Sequence, residues 1–210
     1  MNYNQDTIDI FTNLKVITEK HPGRLLDVLN CFNKNQYKCK KWLVDCLNNY
    51  EYHFKNKTKD SIDIAVLGGW YGLTAKLLKN YFAVKQIRNI YSYDFDPYTK
   101  KLGRMFFNDI EFVEMDIKDL EIAEKSFSII INTSCEHMEQ EIINQTIAKA
   151  PKETLFVLRS NNYIEIDEHI NCSASLQDFA DKFKDNLKNV KMYELDMEKY
   201  TRFMLIGAKQ

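Results

Sequence analysis

The sequence predicts an α/β protein with a seven-stranded sheet that is parallel except for an antiparallel C-terminal strand, preceded by an N-terminal helical extension. Three observations support this prediction. From Ile62 onward, apolar runs of strand length alternate with helical stretches, which is typical of a parallel sheet covered by helices. The first apolar run ends in a glycine-rich turn. The last two runs are joined by a connection that is too short for a parallel crossover.

Composition narrows the classes of function. The 210 residues carry 29 basic and 30 acidic side chains, a net charge of −1, so the strongly basic balance that favours a nucleic-acid partner is absent. Five cysteines without a Cys-x-x-Cys pair fit a reducing compartment better than a disulfide framework or a zinc site. No apolar run reaches membrane-spanning length and the first residues do not resemble a signal peptide. We expect a soluble, cytoplasmic protein with no membrane partner and no metal site.

Residues 1–60 are expected to form the helical extension, as a cap on the domain at 61–210 or as part of it. Apolar residues recur at helical spacing in three stretches between residues 7 and 50. Lysines cluster in and after the third stretch, at Lys34, Lys38, Lys40, Lys41, Lys55, Lys57 and Lys59. They fit either a patch for an anionic partner or a solvated helix face, and the near-zero net charge favours the solvated face.

The first predicted strand leads into the turn that organises the rest of the chain. The apolar run Ile62–Leu67 is followed by Gly68-Gly69-Trp70-Tyr71-Gly72, and a helical pattern begins at Leu73. Glycines allow a tight turn and a close approach of backbone to ligand, and the helix N-terminus offers free N–H groups. By itself such a turn is a weak signal, because glycines after a strand also serve as ordinary turn residues.

The remaining elements follow in order. Strands are predicted at 89–94, 111–115, 126–132 and 153–158, with a helix beginning at Pro97 and another at 137–148. Proline is favoured in a first helical turn, and the strand at 126–132 is apolar enough to be buried on both faces. A helix at 175–187 then precedes strands at 190–195 and 201–208. Their short connection predicts that these two strands pair antiparallel.

Two aspartates follow predicted strands, at the sheet edge where α/β proteins bind ligands. Asp94 closes the second strand, 22 residues after Gly72, which is the range expected for a carboxylate that accepts hydrogen bonds from a ribose. The alternative is a solvated turn residue beside Pro97. Asp116 follows the third strand and fits either an adenosine pocket or a helix N-cap.

These features together resemble the class I S-adenosylmethionine-dependent methyltransferases, over residues 62–209. The family has a Rossmann-like seven-stranded sheet with an antiparallel seventh strand, and the chain is similar to a small divergent member such as those of bacteriophage genomes. The resemblance implies S-adenosyl-L-methionine as cofactor, with the glycine turn at its methionine and ribose. It also implies Asp94 at the ribose and Asp116 with Ile117 at the adenine. The implied cofactor-binding residues are Gly68, Gly69, Trp70, Tyr71, Gly72, Asp94, Phe95, Asp116, Ile117, Asn132 and Thr133.

The glycine motif departs from the family pattern of acidic-x-Gly-x-Gly-x-Gly. With Gly72 at the third glycine, Trp70 stands at the second and Val66 at the acid. The missing acid leaves open how the methionine amino group would be oriented. A tryptophan in this turn permits a close approach of the cofactor only if its ring points away.

Residues 132–137 sit where the family places its substrate-facing motif. His137 is the candidate general base because the unperturbed pKa of histidine lies nearest neutrality, and packing at a helix start is the alternative. Glu136 is the second candidate for catalysis, and it also fits a cofactor contact or a helix cap. Residues 162–173 have the length and position of a substrate lid, and sequence spacing supports no zinc pattern there. The candidate substrate residues are Ser134, Asn161, Asn162, Tyr163 and His169.

The function that the sequence favours is methyl transfer to a small-molecule acceptor, or to a residue of a protein. A nucleic-acid methyltransferase would use the lysines near Trp42, but no Asn-Pro-Pro-Tyr-like motif follows the fourth strand. A silent S-adenosylmethionine-binding protein and an NAD-dependent oxidoreductase are further alternatives. The small size of the chain and its terminal hairpin count against the oxidoreductase, since a dinucleotide fold needs a second mononucleotide half.

Overall fold

A computed structural model describes residues 5–54, 61–120, 122 and 125–210. Within this part of the chain, seven strands form one sheet: β1 Ile62–Leu67, β2 Ile87–Asp94, β3 Glu111–Glu114, β4 Ile129–Asn132, β5 Leu155–Asn161, β6 Leu187–Asp196 and β7 Thr201–Lys209. The helices are α1 Gln5–Lys20, α2 Leu25–Cys31, α3 Lys34–Asn48, α4 Leu73–Tyr81, α5 Pro97–Phe106, α6 Gln140–Lys149 and α7 Leu176–Asp181. None of these helices combines the length and the apolarity that a bilayer crossing requires.

The sheet has the strand order β3-β2-β1-β4-β5-β7-β6. The pairs from β3 through β5 are parallel, whereas β7 runs antiparallel to both β5 and β6. β7, which lies between β5 and β6, is therefore the one strand that runs antiparallel to the others. The predicted seven-stranded sheet is confirmed. Its parallel strands end at one edge, so the loops after β1, β2, β3, β4 and β5 meet there.

The central strands are buried on both faces, which explains their continuous apolar sequence. All six residues of β1 are buried. Ile64 packs in one core with Leu43 of α3, while Leu67 packs in a second core with Ile143 of α6 and Phe179 of α7. The alternation of side chains along a strand sends successive residues to opposite faces.

The three N-terminal helices pack on the sheet. Ile17, Val28 and Leu43, one from each helix, are fully buried in the same core as β1. The hydroxyl of Tyr50 donates a hydrogen bond to the carbonyl oxygen of Ile206 in β7, at 3.2 Å. The expected boundary at residue 60 lies outside the described residues, as do Lys55, Lys57 and Lys59.

Two predicted helices have different bounds in the structure. The helix predicted from residue 137 begins at Gln140, because Cys135–His137 forms a separate 3₁₀ turn and Met138 is extended. The helix predicted at 175–187 ends at Asp181. Beyond it, Phe183 and Leu187 are still buried, since the turns at 182–186 also bring side chains four apart to the core.

Candidate active site

A cavity of about 670 Å³ opens at the carboxyl edge of the sheet. Residues from the glycine turn, from the ends of four strands, from α3 and from segment 162–173 line it. The predicted site residues among them are Gly68, Trp70, Asp94, Phe95, Asp116, Ile117, Thr133, Ser134, Glu136, His137, Tyr163 and His169. Gly69, Tyr71, Gly72, Asn132, Asn161 and Asn162 lie beside the cavity but do not line it.

Gly68 is the glycine that reaches the cavity. Its φ of +61° is in the left-handed region, and a Cβ there would lie 2.8 Å from Ser134 Oγ. Thr133 Oγ1 donates a hydrogen bond to the Gly68 carbonyl oxygen at 3.3 Å, which ties this turn to the end of β4. Backbone is thus exposed to a ligand where a side chain does not fit.

The other two glycines of the turn serve internal packing. A Cβ on Gly69 would overlap Ser92 Oγ of β2, and a Cβ on Gly72, at φ +85°, would lie 2.5 Å from the Phe112 ring. Tyr71 is fully buried. These three residues shape the turn, and their predicted role in cofactor binding stays a prediction.

Trp70 points its ring toward the N-terminal helices. Its indole Nε1 donates to Asp27 Oδ1 at 3.1 Å, and the Tyr71 hydroxyl donates to Asp27 Oδ2 at 2.6 Å. Lys40 Nζ lies 5.5 Å from the centre of the Trp70 ring. Sequence reasoning missed Asp27, because nothing in the pattern of α2 links it to a turn more than forty residues away.

Asp94 is anchored by backbone. Its Oδ2 accepts a hydrogen bond from Trp70 N at 2.9 Å and its Oδ1 accepts one from Asp96 N at 3.1 Å. Burial raises the pKa of the Asp94 carboxyl, against the lowering effect of these two N–H groups. Because each carboxylate oxygen has two lone pairs, both can accept a further hydrogen bond.

Exposed groups surround Asp94 in the cavity. Phe95 is 77% exposed although it is a large aromatic side chain, and Ile117 lines the same cavity. Asp116 accepts a hydrogen bond from Lys118 N at 3.0 Å. Asp116 is therefore an N-cap and a lining residue at once, so its two sequence interpretations are compatible.

Some residues of the predicted substrate-facing motif line the cavity, and others hold the local structure together. Asn132 is buried, and its Oδ1 accepts from Ser134 N at 3.0 Å, which shapes the turn after β4. Glu136 is only 3% exposed. Its Oε1 accepts from Asn161 Nδ2 at 2.8 Å and from Arg202 Nη1 at 3.2 Å, while its Oε2 has no hydrogen-bond partner.

Both cavity histidines have one ring nitrogen held by a carbonyl oxygen. His137 Nδ1 lies 3.1 Å from the Glu168 oxygen, and His169 Nδ1 lies 2.6 Å from the Tyr163 oxygen. A carbonyl only accepts, so Nδ1 carries the proton in each ring and Nε2 has the lone pair. Each Nε2 can therefore act as a base.

Segment 162–173, the predicted substrate lid, contributes side chains to the wall of the cavity. Tyr163, Ile166, His169 and Ile170 line the cavity. Asn171 N donates to the Glu136 carbonyl oxygen at 3.0 Å, which holds the segment to the 3₁₀ turn. The ring of Tyr163 stacks on Tyr200 with centroids 5.1 Å apart.

Glu136, His137 and His169 each offer a metal-ligating atom, and these atoms lie within 4.8 Å of one another. Sequence spacing did not predict this cluster. Nitrogen and carboxylate ligands of this kind suit divalent ions. However, Glu136 already pairs with Arg202, and a metal ion there would sit against that buried guanidinium.

The structure corrects the prediction for one lysine and shows two arginines that the sequence analysis did not name as site residues. Lys34 and Lys38 are exposed, as a solvated face predicts, but that prediction is wrong for Lys40, which is 4% exposed and lines the cavity. Arg159 of β5 and Arg202 of β7 are also buried and line it. The sequence held one signal for the burial of Lys40. It is next to Cys39 and four residues from Val44, and both of these residues are buried on α3.

Comparisons with known proteins support the fold. The sequence matches no protein-family model and no curated protein. Among solved structures, the plantazolicin methyltransferase BpumL, in complex with a pentazolic desmethylPZN analog and SAH, has a TM-score of 0.63 at 11% identity and covers 98% of both chains. The CurJ carbon methyltransferase has a TM-score of 0.69 at 9% identity, over 97% of this chain and 67% of that one. The YcgJ protein from Bacillus subtilis has a TM-score of 0.61 at 11% identity, over 80% and 98%.

The sheet order, the antiparallel β7 and these similarities define the class I methyltransferase fold. This Rossmann-like fold is the one that the sequence predicted.

Proposed function

We propose that this protein transfers a methyl group from S-adenosyl-L-methionine to a small-molecule acceptor. The observation that carries the proposal is the Asp94 carboxylate. Two backbone N–H groups fix it in the cavity, beside the exposed ring of Phe95. A carboxylate with free lone pairs next to an exposed aromatic face suits the ribose and the base of a nucleoside.

The residues present fit the rest of this cofactor. Phe95 and Ile117 offer apolar faces to an adenine, with Asp116 beside them. Gly68 presents backbone because a Cβ would crowd Ser134, and Thr133 lines the same region. Trp70 keeps its indole toward Asp27, which meets the condition for a close approach at this turn. SAH in the BpumL complexes supports the same choice of cofactor.

When bound, S-adenosylmethionine would supply an electrophilic methyl group for an in-line displacement, and the protein supplies orientation and exclusion of water. His137 Nε2 takes the proton of an acceptor hydroxyl, amine or carboxyl, since its Nδ1 proton is committed to the Glu168 carbonyl. Glu136 holds Arg202 and Asn161 at the floor of the site. Segment 162–173 shields the reaction from solvent.

A small molecule is the favoured acceptor because the cavity has the size of a ligand pocket. Its volume of about 670 Å³ lies in the range of ligand pockets, and Tyr163 and His169 cover it from the lid. BpumL was solved with a desmethylPZN analog.

The five free cysteines fit the reducing cytoplasm, which is the compartment we propose.

Isothermal titration with S-adenosylmethionine and, separately, with NAD tests the cofactor. We expect micromolar binding of S-adenosylmethionine that Asp94→Ala weakens by about tenfold or more, because a charge-assisted hydrogen-bond acceptor is lost. Asp109→Ala, which removes an exposed carboxylate paired with Lys76 outside the cavity, is the matched control. Tight NAD binding, or no binding of S-adenosylmethionine, would contradict the proposal.

A further inference from the structure

Three cationic side chains are buried on one side of the cavity. Lys40, Arg159 and Arg202 are 4%, 3% and 7% exposed, and all three line the cavity. Arg159 lies on β5 and Arg202 on β7, whereas Asp94 closes β2. Two strands, β1 and β4, separate β2 from β5, which corresponds to roughly 14 Å across the sheet. Arg159 and Arg202 are therefore on the side away from the adenosine residues, whereas Lys40 of α3 lies nearer the glycine turn, with its Nζ 5.5 Å from the centre of the Trp70 ring.

Each cation is held in place without using all of its donors. Arg159 Nη2 donates to the Thr133 oxygen at 3.1 Å and its Nη1 to Cys39 Sγ at 3.4 Å. Arg202 Nη1 donates to Glu136 Oε1 at 3.2 Å, and its Nη2 donates to the Tyr200 hydroxyl at 3.4 Å. The Nε groups of both arginines are buried with no hydrogen-bond partner. Lys40 Nζ donates to Gln36 Oε1 at 2.7 Å, an uncharged acceptor.

On this side of the cavity, the buried carboxylates of the described residues do not balance the three cations. Among the cavity-lining side chains that are at least nine-tenths buried, Glu136 is the one carboxylate against three cations. The other carboxylates that line the cavity are Asp94, half-buried at the end of β2, and Asp116 and Glu139, which are exposed at the rim with Lys118. Burial raises the pKa of the Cys39 thiol, but Arg159, Arg202 and Lys40 together bring it below its usual value. A Cys39 thiolate would offset one charge and still leave one cation in excess.

We propose that this side of the cavity binds an anionic group of the methyl acceptor, a carboxylate or a phosphate. The inference rests on the proposed methyl transfer, because it names the chemistry of the acceptor of that reaction. Uncompensated buried charge is costly, and guanidinium groups with free N–H donors match the oxygens of carboxylates and phosphates. A bound anion would offset this excess of positive charge.

A divalent cation at Glu136, His137 and His169 is the opposite alternative. It would add positive charge where three cations already lie, and it would compete with Arg202 for Glu136. The charge balance favours the anion.

Thermal unfolding in the presence of inorganic phosphate or succinate tests the inference, at ionic strength matched with chloride and both with and without SAH. A ligand that binds the folded state raises Tm with its concentration, which gives an apparent Kd. We expect at least one of the two anions to stabilise the wild-type protein beyond chloride. Stabilisation by phosphate alone assigns a phosphorylated acceptor, and stabilisation by succinate alone assigns a carboxylate.

Variants locate the binding. Lys40→Met and Arg159→Gln should each weaken the anion by about tenfold or more, because each removes a charged donor. Arg104→Gln, at an exposed arginine of α5, is the matched control and should leave the Kd unchanged. Lys40→Met replaces a buried charge by an apolar side chain of similar length, so it keeps the test valid if Arg159→Gln does not fold.

Three results would overturn the inference. They are no stabilisation of the wild-type protein by either anion, an unchanged Kd in Lys40→Met, or stabilisation by Mn²⁺ or Zn²⁺ in place of the anions. Separate titration of SAH tests the cofactor binding on which the proposed methyl transfer depends. Intact SAH binding without anion binding would reject the anionic acceptor alone, whereas absent SAH binding would reject the proposed function.

Discussion

The charged side chain of Lys40 is buried, and the free-energy cost of burying it depends on pH. Burial lowers the pKa of Lys40 to about 8, against the raising effect of the Cys31 thiol. In the unfolded chain the group titrates near the usual 10.5. Between these values the unfolded chain binds more protons than the folded one, so the stability contribution of this residue rises with pH.

Lys40→Met should therefore stabilise the protein at pH 7 and lose that advantage at high pH. We expect the free energy of unfolding to rise by about 3 kcal/mol at pH 7, with the gain shrinking between pH 8 and 10.5. Urea unfolding in a buffer free of phosphate and carboxylates, at several pH values, measures it. Lys38→Met, at an exposed lysine of the same helix, is the control. A gain that is equal at pH 7 and pH 10 would refute this account.

Among single residues, the sequence predicts those that line the cavity because they lie at or just after the end of a strand. Asp94, Ser134 and His137 follow strands that the apolar pattern identifies, and all three line the cavity. Lys40 and Asp27 could not be predicted in the same way. They reach the site through the packing of α2 and α3 on the sheet, and helical periodicity gives no information about which distant turn a helix contacts.

The turn between β1 and α4 is the element in which local conformation matters most. Gly72 has a φ of +85°, and an added Cβ would lie 2.5 Å from the Phe112 ring, which is itself buried. The left-handed backbone and the crowded ring both oppose a side chain. The glycine is thus required for the seating of α4 on the sheet.

Gly72→Ala should lower the free energy of unfolding by about 3 kcal/mol, the sum of a backbone cost and an overpacking cost. Chemical denaturation of the purified variant measures the loss. Gly23→Ala provides the control, since nothing lies within 4 Å of its added Cβ, and it should change stability by less than about 1 kcal/mol. Similar losses in both variants would show that the Phe112 contact does not matter.

Element types were easier to predict than element ends. The strand cores follow from apolar runs, and α5 begins at Pro97 as predicted. The start of α6 was missed because the sequence at Cys135–His137 carries no break signal, although these residues form a separate 3₁₀ turn in which His137 N donates to the Ser134 carbonyl oxygen. The end of α7 was missed because Phe183, in the turns that follow the helix, and Leu187, the first residue of β6, keep helical spacing.

In the molecule as a whole, the N-terminal helices take part in the candidate site. α2 supplies Asp27 to the glycine turn, and α3 supplies Lys40 and Gln36 to the cavity. Residues 61–210 alone would lack these groups. We therefore propose that the extension and the sheet act as one unit in binding.

Asp27→Ala tests this coupling. Trp70 Nε1 and the Tyr71 hydroxyl would both lose their acceptor, which loosens the turn whose backbone N–H also holds Asp94. A loss of about 1 kcal/mol corresponds to roughly fivefold weaker S-adenosylmethionine binding, measured by calorimetry. Asp45→Ala, at an exposed acid of α3, should bind like the wild-type protein. Unchanged affinity in Asp27→Ala would show that α2 does not contribute to binding at the site.

The topology was predictable because it follows from chain-wide rules. Parallel strands need long crossovers, and β6 and β7 are separated by only residues 197–200, so one antiparallel strand was required. The charge of the cavity was not predictable. The net charge of −1 sums over the whole chain, while three different elements, α3, β5 and β7, bring three cations together inside.

The position of Trp70 also makes the protein its own optical probe. The chain has two tryptophans, Trp42 and Trp70, and the indole of Trp70 lies between the Asp27 carboxylate and the Lys40 ammonium at the wall of the cavity. Indole emission responds to nearby charge. With Trp42 replaced by phenylalanine, fluorescence would report from this wall alone, so screening of unlabelled candidate acceptors needs neither a radioactive methyl group nor a coupled assay.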